Sequence, residues 1–402
     1  MTVRISKSAF NLREKLSELD KPSGIKGNEL LRSETAQDAR NLIGAGRKNK
    51  VINGAMEISQ RGTSFSGITG SSGDTYTLDR FKIQMNDLDQ AVVTVSQDSS
   101  APEQEGGFKK SLKIECTTAE SGVPASSEHA RLIYDGEAFD FTDIGFGTRS
   151  AKRVTVSFWV KSNLTGLWGM NIWRGDANRS ILKTYTINNP NTWEHKVIKL
   201  PPDPIGGVVN HDNGYGLRLN WGLATGTNFA TNSSTLEDSW HGFQQQYFYP
   251  YETRHRNLFH STGNTFYLTG VQCEVNDVAT EFEHRLYEEE LSLCKRYYQQ
   301  VGPASSSAMV LTGAGNGIAR IRGMHQLIPE MRAAPTVTHD TSSENPTFYA
   351  YQAGPPGYTS VNGFTSTTKN IHWDFNTGTH NQAGYGFDVK GSGARLQISA
   401  EL

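Results

Sequence analysis

The residues best suited to ligand chemistry lie in one aromatic segment, DSWHGFQQQYFYPYETRHR, at positions 238–256. Flat rings match the apolar C–H face of a sugar, and glutamine amides match its hydroxyl rim. Nucleic-acid bases would also stack on rings, but the segment lacks the dense row of Lys and Arg that phosphates require. The pattern therefore predicts carbohydrate binding, with Trp240, Tyr247, Tyr249 and Tyr251 as the ligand-binding residues.

The same segment has a second interpretation, because aromatic rings dominate protein cores and subunit interfaces as well. Pro250 interrupts any regular strand ladder, and the rings do not alternate cleanly along the chain. Packing at an edge of the fold, or against a neighbouring subunit, therefore stays open as the alternative.

A second aromatic cluster lies in a stretch rich in Gly, Pro and Ser near the C-terminal end. Tyrosine offers a large contact area at a low cost in conformational entropy, so such loops make good recognition surfaces. Tyr349, Tyr351 and Tyr358 are therefore predicted as further glycan-binding residues. The alternative is that they form the core of a short sandwich.

One short sequence, NGAME at 53–57, is a weak candidate for a metal site. Calcium takes carboxylate, amide and carbonyl oxygens as ligands. Asn53 and Glu57 are therefore the expected donors to a structural calcium ion, and no other cofactor is suggested.

Signatures of catalysis are missing from the sequence. It holds no GxSxG nucleophile motif, no phosphate-binding loop and no paired histidines of a zinc enzyme. Two carboxylates of a glycosidase would meet only in space, and acidic residues in turns are usually solvent-exposed. We therefore expect no catalytic residue and no enzyme activity.

Composition excludes several further classes. The 402 residues allow two or three domains, and 39 Lys and Arg against 41 Asp and Glu give a net charge of −2. A general nucleic-acid binder would need a basic surplus. No apolar run is long enough for membrane insertion, and three scattered cysteines favour folding in a reducing cytoplasm.

Residues 1–48 are predicted to form a helical arm. Phe10, Leu12, Leu16 and Leu19 fall at helical spacing before Pro22 ends the pattern. Short helices are marginal alone and need a surface to pack on. These four residues are therefore the expected assembly contacts, either with the chain's own domain or with a larger assembly.

The rest of the chain is predicted to be mainly β. From 49 to 285 the apolar period is two, with many turn residues, which indicates a jelly-roll β-sandwich. Residues 286–303 return to helical spacing and predict a linking helix. Residues 304–402 predict a C-terminal β-sandwich, whose low charge indicates a surface covered by a partner or by symmetry copies.

Several pieces together resemble a known family. They are NLIGAGRKNKVINGAMEISQRGTSF, YTLDRF, VTVSFWVKSNLTG, GNTFYLTGVQCEVNDVATEFEHRLYEEELSLCKRYY and MRAAPTVT, with an N-terminal VRISKSAFNLREKLSELDKPSGIKGNELLRSET. In this order they are similar to tail-fibre-like structural proteins of marine cyanophage-type virions, which carry a jelly roll resembling a carbohydrate-binding module. The aromatic segment at 238–256 is longer than the loop expected there, and the family pattern carries no catalytic motif.

The resemblance implies a virion fibre protein made in the host cytoplasm and placed on the tail or capsid surface. It implies a homo-oligomer, expected to be a trimer, whose N-terminal segment contacts other virion proteins. Its β domains would bind host cell-surface polysaccharide. The alternatives are a purely structural role, as a capsid decoration or tail adaptor, and a glycan depolymerase.

Overall fold

The computed structural model describes most of the chain after position 47. The described residues are 32, 48–120, 125–231, 239–244, 249–250, 256–301, 307–315, 320–339, 349–351, 360–376, 386–392 and 396–402. The chain divides into two compact units, 1–48 and 49–402. The helical arm and its assembly residues Phe10, Leu12, Leu16 and Leu19 lie outside the described residues, and their roles stay predictions.

Two antiparallel sheets form the first part of the unit 49–402. Strands are numbered β1 to β24 along the chain. The six-stranded sheet has the spatial order β1 (Ser64–Ile68), β4 (Val92–Asp98), β5 (Ser111–Thr118), β15 (Thr265–Glu274), β7 (Val154–Ser162) and β10 (Glu194–Leu200). The seven-stranded sheet has the order β13 (His241–Gly242), β9 (Arg179–Ile187), β8 (Gly166–Arg174), β11 (Tyr215–Thr225), β6 (His129–Glu137), β3 (Phe81–Asn86) and β2 (Thr75–Tyr76).

The chain passes repeatedly from one sheet to the other, which is the connectivity of a jelly roll. It crosses between β3 and β4, β5 and β6, β7 and β8, and β9 and β10. A short parallel pair, β12 (Ala230–Thr231) with β14 (Tyr249–Pro250), follows β11. The prediction of a mainly β, sandwich-like fold is confirmed.

The core lies between the two sheets because alternate side chains of each strand point inward. Val156 and Phe158 of β7, and Leu219 and Trp221 of β11, are all buried in one apolar cluster. The rings of Phe158 and Trp221 meet edge to face across the two sheets, with centroids 5.7 Å apart at 86°. The removal of these apolar side chains from water is the main favourable contribution to folding.

Helices are few and short among the described residues. They are α1 (Glu103–Gly106), α2 (Tyr287–Lys295) and single 3₁₀ turns at Ala138–Asp140, Thr142–Ile144, Thr227–Phe229 and Leu258–His260. Helix α2 falls inside the predicted linking segment, with three glutamates in its first turn and Lys295 in its last, which suits the helix dipole. No helix in these described stretches is both long and apolar enough to span a membrane.

Two further antiparallel sheets follow α2. One has the order β16 (Tyr298–Val301), β24 (Leu396–Ser399) and β19 (Thr336–His339). The other has the order β20 (Tyr349–Tyr351), β23 (Gly386–Ser392), β17 (Ser307–Gly315), β18 (Arg320–Gln326), β22 (Asn370–Asn376) and β21 (Ser360–Ser366).

Buried ion pairs join the chain after α2 to the jelly roll. Arg80 of the jelly roll pairs with Glu401, and its guanidinium lies 3.5 Å from the ring centroid of Tyr297. The Tyr297 hydroxyl in turn donates to Glu137 of β6 at 2.6 Å. Helix α2 and the residues directly after it therefore belong to the same compact unit as the jelly roll.

Candidate functional site

A cleft of about 310 Å³ opens on the seven-stranded sheet. Eight described residues line it: Gln84, Asn86, His129, Arg131, Trp173, Arg218, Phe229 and Phe243. Strand alternation places it on the outward face of the sheet. Gln84 lies between the core residues Ile83 and Met85, and Arg218 lies between the core residues Leu217 and Leu219.

Strand register brings these side chains together. Gln84 of β3 is paired with Arg131 of β6, and Arg218 of β11 is paired with Trp173 of β8. The Nε of Arg131 donates to Oε1 of Gln84 at 2.7 Å. Cross-strand neighbours on one face interact directly, so each pair places its two side chains side by side at the cleft.

Arg218 is fixed in place by a buried carboxylate. Its Nη2 donates to Oδ2 of Asp135 at 3.0 Å, and its Nε donates to the other oxygen. The guanidinium lies 5.1 Å from the Trp173 ring centroid and 5.0 Å from that of Tyr215. Burial opposes the charge, but the Asp135 carboxylate outweighs it and raises the pKa of Arg218. Arg218 is therefore a rigid, permanently charged donor.

Aromatic rings contribute much of the cleft lining. The rings of Trp173 and Phe243 have centroids 6.0 Å apart at 56°. The rings of His129 and Phe229 are closer, with centroids 3.9 Å apart at 35°. Rings with a few fixed hydrogen-bonding groups are the usual content of a small-ligand site, and sugars use both kinds of contact.

His129 is neutral in this cleft at pH 7. Burial, and then the positive charge of Arg131, lowers the pKa of His129 to about 4. Its Nδ1 lies 3.3 Å from the carbonyl oxygen of Ser127. The imidazole therefore acts as a neutral ring and hydrogen-bonding group, not as a charge.

The low pKa of His129 predicts a fall in stability in mild acid. In the unfolded chain the imidazole takes up a proton below about pH 6.5, whereas the folded state resists protonation until about pH 4. Unfolding therefore becomes easier as pH falls through this window, by roughly 2 kcal/mol between pH 7 and pH 5. Urea unfolding of the His129→Gln variant should lack this part of the pH dependence. His260→Gln, an exposed control, should keep it, and parallel curves for both variants would contradict the assignment.

Trp240 is placed in the core and does not line the cleft. It is 7% exposed, and its ring meets Phe146 edge to face with centroids 5.3 Å apart. Its Nε1 donates to the carbonyl oxygen of Pro201 at 2.9 Å. The expectation of direct ligand contact is corrected here for this residue, because the indole already has a buried partner. Phe243, three residues later, is a described ring of this segment and lines the cleft.

The other predicted ligand-binding residues are placed only in part. The backbone of Tyr249 lies in β14, which packs near β8 and β9 of the seven-stranded sheet. The backbones of Tyr349 and Tyr351 form β20, at the edge of a C-terminal sheet. Tyr247, Tyr251 and Tyr358 lie outside the described residues. Ligand contact by these six tyrosines stays a prediction.

The two candidate calcium donors have different surroundings. Asn53 is fully buried, and its Nδ2 donates to the carbonyl oxygens of Ile58 and Asp79 at 2.8 and 2.9 Å. Burial raises the pKa of the Glu57 carboxyl. Within the described ranges, no group of three or more His, Cys, Asp or Glu could hold a metal ion. A calcium ion at Asn53 and Glu57 stays a prediction, which a lower Tm after chelation would support.

Most of the cleft residues belong to no motif in the sequence. Arg131 and Arg218 each lie between two apolar residues, Trp173 lies between Ile172 and Arg174, and no motif surrounds them. Strand alternation was the one signal that could have identified them. It predicts which residues of a strand face outward, and a large polar or aromatic residue at such a position is a candidate for ligand contact. Which outward residues are neighbours depends on register, and register comes from the fold.

Comparison with known proteins finds similarity only among solved structures. No family model and no curated protein matches the chain. The enzymatically active domain of bacteriophage CBA120 tailspike protein 4 is 13% identical, with 57% of this chain and 21% of that chain covered, at a TM-score of 0.29. TmCBM61, in complex with β-1,4-galactotriose, is 8% identical, with 57% of this chain and 100% of that chain covered, at a TM-score of 0.27.

A third solved structure is the family 11 carbohydrate-binding module of Clostridium thermocellum, in complex with a β-1,3-1,4-mixed-linked tetrasaccharide. It is 11% identical, with 55% of this chain and 99% of that chain covered, at a TM-score of 0.26. Identities and TM-scores in this range assign no activity, so the function has to be argued from the cleft.

Proposed function

We propose that this chain is a non-enzymatic virion fibre protein that binds host surface glycans in the cleft of the seven-stranded sheet. The observation that carries the proposal is the cleft's lining: Trp173 and Phe243 supply rings, while Gln84 and Asn86 supply amide groups. Rings stack on the apolar face of a sugar, and amides bond its hydroxyl groups.

The lining also supports binding without catalysis. Glycoside hydrolysis uses two carboxyl groups on either side of the scissile bond, about 5 to 10 Å apart. Among the described residues, no aspartate or glutamate lines the cleft. A ligand held there would meet neutral and positively charged groups, which position a sugar but do not cleave it.

The proposal extends to assembly. The N-terminal segment would attach the chain to other virion proteins, and three copies would present three clefts on the virion surface. Linking sites in one particle makes later binding events intramolecular, so weak affinity at each cleft still retains a host cell. The support is the sequence resemblance, together with the division of the chain between Lys48 and Asn49.

A glycan array probed with the full chain tests the binding function. We expect selective binding to a subset of oligosaccharides, with no release of reducing ends during prolonged incubation with host polysaccharide. Failure of the intact oligomer to bind any glycan would overturn the adhesion function. Release of reducing ends would establish the depolymerase instead.

A structural virion role is the second candidate, favoured by one exposed loop. Ile205 and Val208 are 59% and 53% exposed, and the buried Arg174 holds their loop by donating to the carbonyl oxygens of Ile205 and Gly207. Apolar side chains held outward on an ordered loop are typical of protein interfaces. An image of the particle decides between the candidates, because a structural role predicts that this loop faces a neighbouring subunit, whereas glycan binding requires the cleft to face solvent.

A further inference from the structure

The cleft has basic walls. Two of its lining residues, Arg131 and Arg218, are arginines, and its amides and neutral imidazole bring no negative charge. No acid lines the cleft among the described residues, but three lie beside it. Asp135 pairs with Arg218, Asp74 accepts from Gln84 and acts on Arg218, and the charge of Asp87 acts on His129. The lining itself therefore offers a bound sugar guanidinium groups and no carboxylate.

The carboxylate behind Arg218 is shared between two cations. Asp135 is 1% exposed and accepts from Arg218, while Nζ of Lys82 lies 2.9 Å from its Oδ2. Lys82 has a second partner in Asp74, at 3.0 Å, but Asp74 is 39% exposed and so partly screened by water. Asp135 and Asp74 therefore balance the charges of Arg218 and Lys82, and Asp135 fixes the Arg218 guanidinium at the cleft.

The other guanidinium faces the cleft from the neighbouring strand. Arg131 donates to a neutral acceptor, Oε1 of Gln84, at 2.7 Å. After burial, its charge is the next cause of the low pKa of His129. Arg131 therefore presents its guanidinium in the same cleft as Arg218.

Arg218 is also arranged to bind a further group. Its Nε and Nη2 donate to Asp135, and Nη1 is the guanidinium nitrogen that this ion pair does not use. Stacking on Trp173 keeps the plane of the guanidinium fixed. A sugar that stacks in the cleft would bring its substituents within reach of this donor.

We infer that the cleft selects acidic glycans, whose carboxylate or sulfate groups are bound by Arg218 and Arg131. This inference rests on the proposed glycan-binding function and names the substrate class of the same site. Hydrogen bonds between guanidinium and an anion are about twice as strong as neutral ones, and the planar fork suits both carboxylate and sulfate. A neutral sugar would form only the weaker, neutral hydrogen bonds with these donors.

Isothermal titration of the full chain with three oligosaccharides tests the inference. The probes are an oligohexuronate, a sulfated galactan oligosaccharide and an uncharged galactan oligosaccharide of equal length. We expect at least one acidic probe to bind about tenfold or more tightly than the uncharged one. Its Kd should rise steeply with salt, because screening weakens charge contacts. The stronger of the two acidic probes identifies carboxylate or sulfate as the recognised group.

Arg218→Lys is the decisive variant because it keeps a positive charge beside Asp135 and removes the planar fork. It should weaken binding of the acidic probe about tenfold or more and leave the uncharged probe nearly unchanged. Arg153→Lys is the control, since Arg153 pairs with Asp277 on the surface with 60% of its side chain exposed. Circular dichroism and urea unfolding of both variants show whether the fold is kept.

The two possible failures are distinguishable. If the uncharged probe binds as tightly as the acidic probes, and Arg218→Lys affects all three equally, the acidic selectivity is overturned while glycan binding stands. If the folded wild-type chain binds none of the three probes and no glycan on the array, the proposed function itself is overturned.

Discussion

Replacing Trp173 by alanine is expected to weaken glycan binding about 30-fold or more, which corresponds to about 2 kcal/mol. The ring lines the cleft, lies 6.0 Å from Phe243 and supports the guanidinium of Arg218 at 5.1 Å. Its removal takes away a stacking face and also releases Arg218 from a fixed position. Titration calorimetry with the best glycan from the array measures the change in Kd.

Trp193→Ala is the matched control for this variant. Trp193 precedes β10 in the other sheet, where its ring lies 6.1 Å from that of Tyr267 and 5.1 Å from the ammonium of Lys161. The Trp193→Ala variant loses an equally large side chain at a position outside the cleft, so its Kd for the glycan should equal that of the wild type. An unchanged Kd for a folded Trp173→Ala variant would rule out this cleft as the glycan site.

Replacing Asp203 by asparagine is expected to lower the free energy of unfolding by about 3 kcal/mol or more. Asp203 is 1% exposed and accepts from two arginines that pair across β8 and β9, Arg174 and Arg179. Asparagine keeps the shape but loses the charge, so two guanidinium groups would remain close together without a carboxylate. Chemical denaturation of the purified variant measures the loss.

The surface pair of Arg153 and Asp277 provides the control for this prediction. These side chains are 60% and 68% exposed and 3.3 Å apart. Exposed pairs contribute about 0 to 1 kcal/mol, so Asp277→Asn should change stability by no more than that. Equal effects of Asp203→Asn and Asp277→Asn would show that burial does not strengthen the first pair.

Asp203 also helps to hold the exposed loop that carries Ile205 and Val208. The backbone N–H of Gly147 donates to the carbonyl oxygen of Asp203 at 2.7 Å, and a Cβ at Gly147 would lie 1.8 Å from the carbonyl oxygen of Gly207. Only glycine allows the two loops to approach so closely, and its φ of +81° also favours glycine. The charged network and the close approach together hold Ile205 and Val208 outward.

Strand alternation was predictable because it is a local property. Val154, Val156, Phe158 and Val160 are separated by polar or amphipathic residues, and all four are buried, as the period of two requires. The helix at Tyr287–Lys295 was predictable for a similar reason, since its apolar spacing and end charges lie within one segment. Neither prediction needed knowledge of distant residues.

The role of individual aromatic residues was not predictable in the same way. Trp240 and Phe243 lie three positions apart in one segment, yet the first is a core residue and the second lines the cleft. The aromatic composition identified the segment as a whole. The path of its backbone over the sandwich determines which rings face the core and which face outward. A ring of either kind gives the same signal in the sequence.

The amino-acid order alone determined that this chain forms antiparallel strands with one apolar face, interrupted by a short helix, because those patterns repeat within a few residues. Only the tertiary structure decided where a ligand could bind. Gln84 and Arg131 are separated by 47 positions, and Asp135 and Arg218 by 83. Strand register alone makes them neighbours, and register follows from packing the whole sandwich rather than from any local spacing.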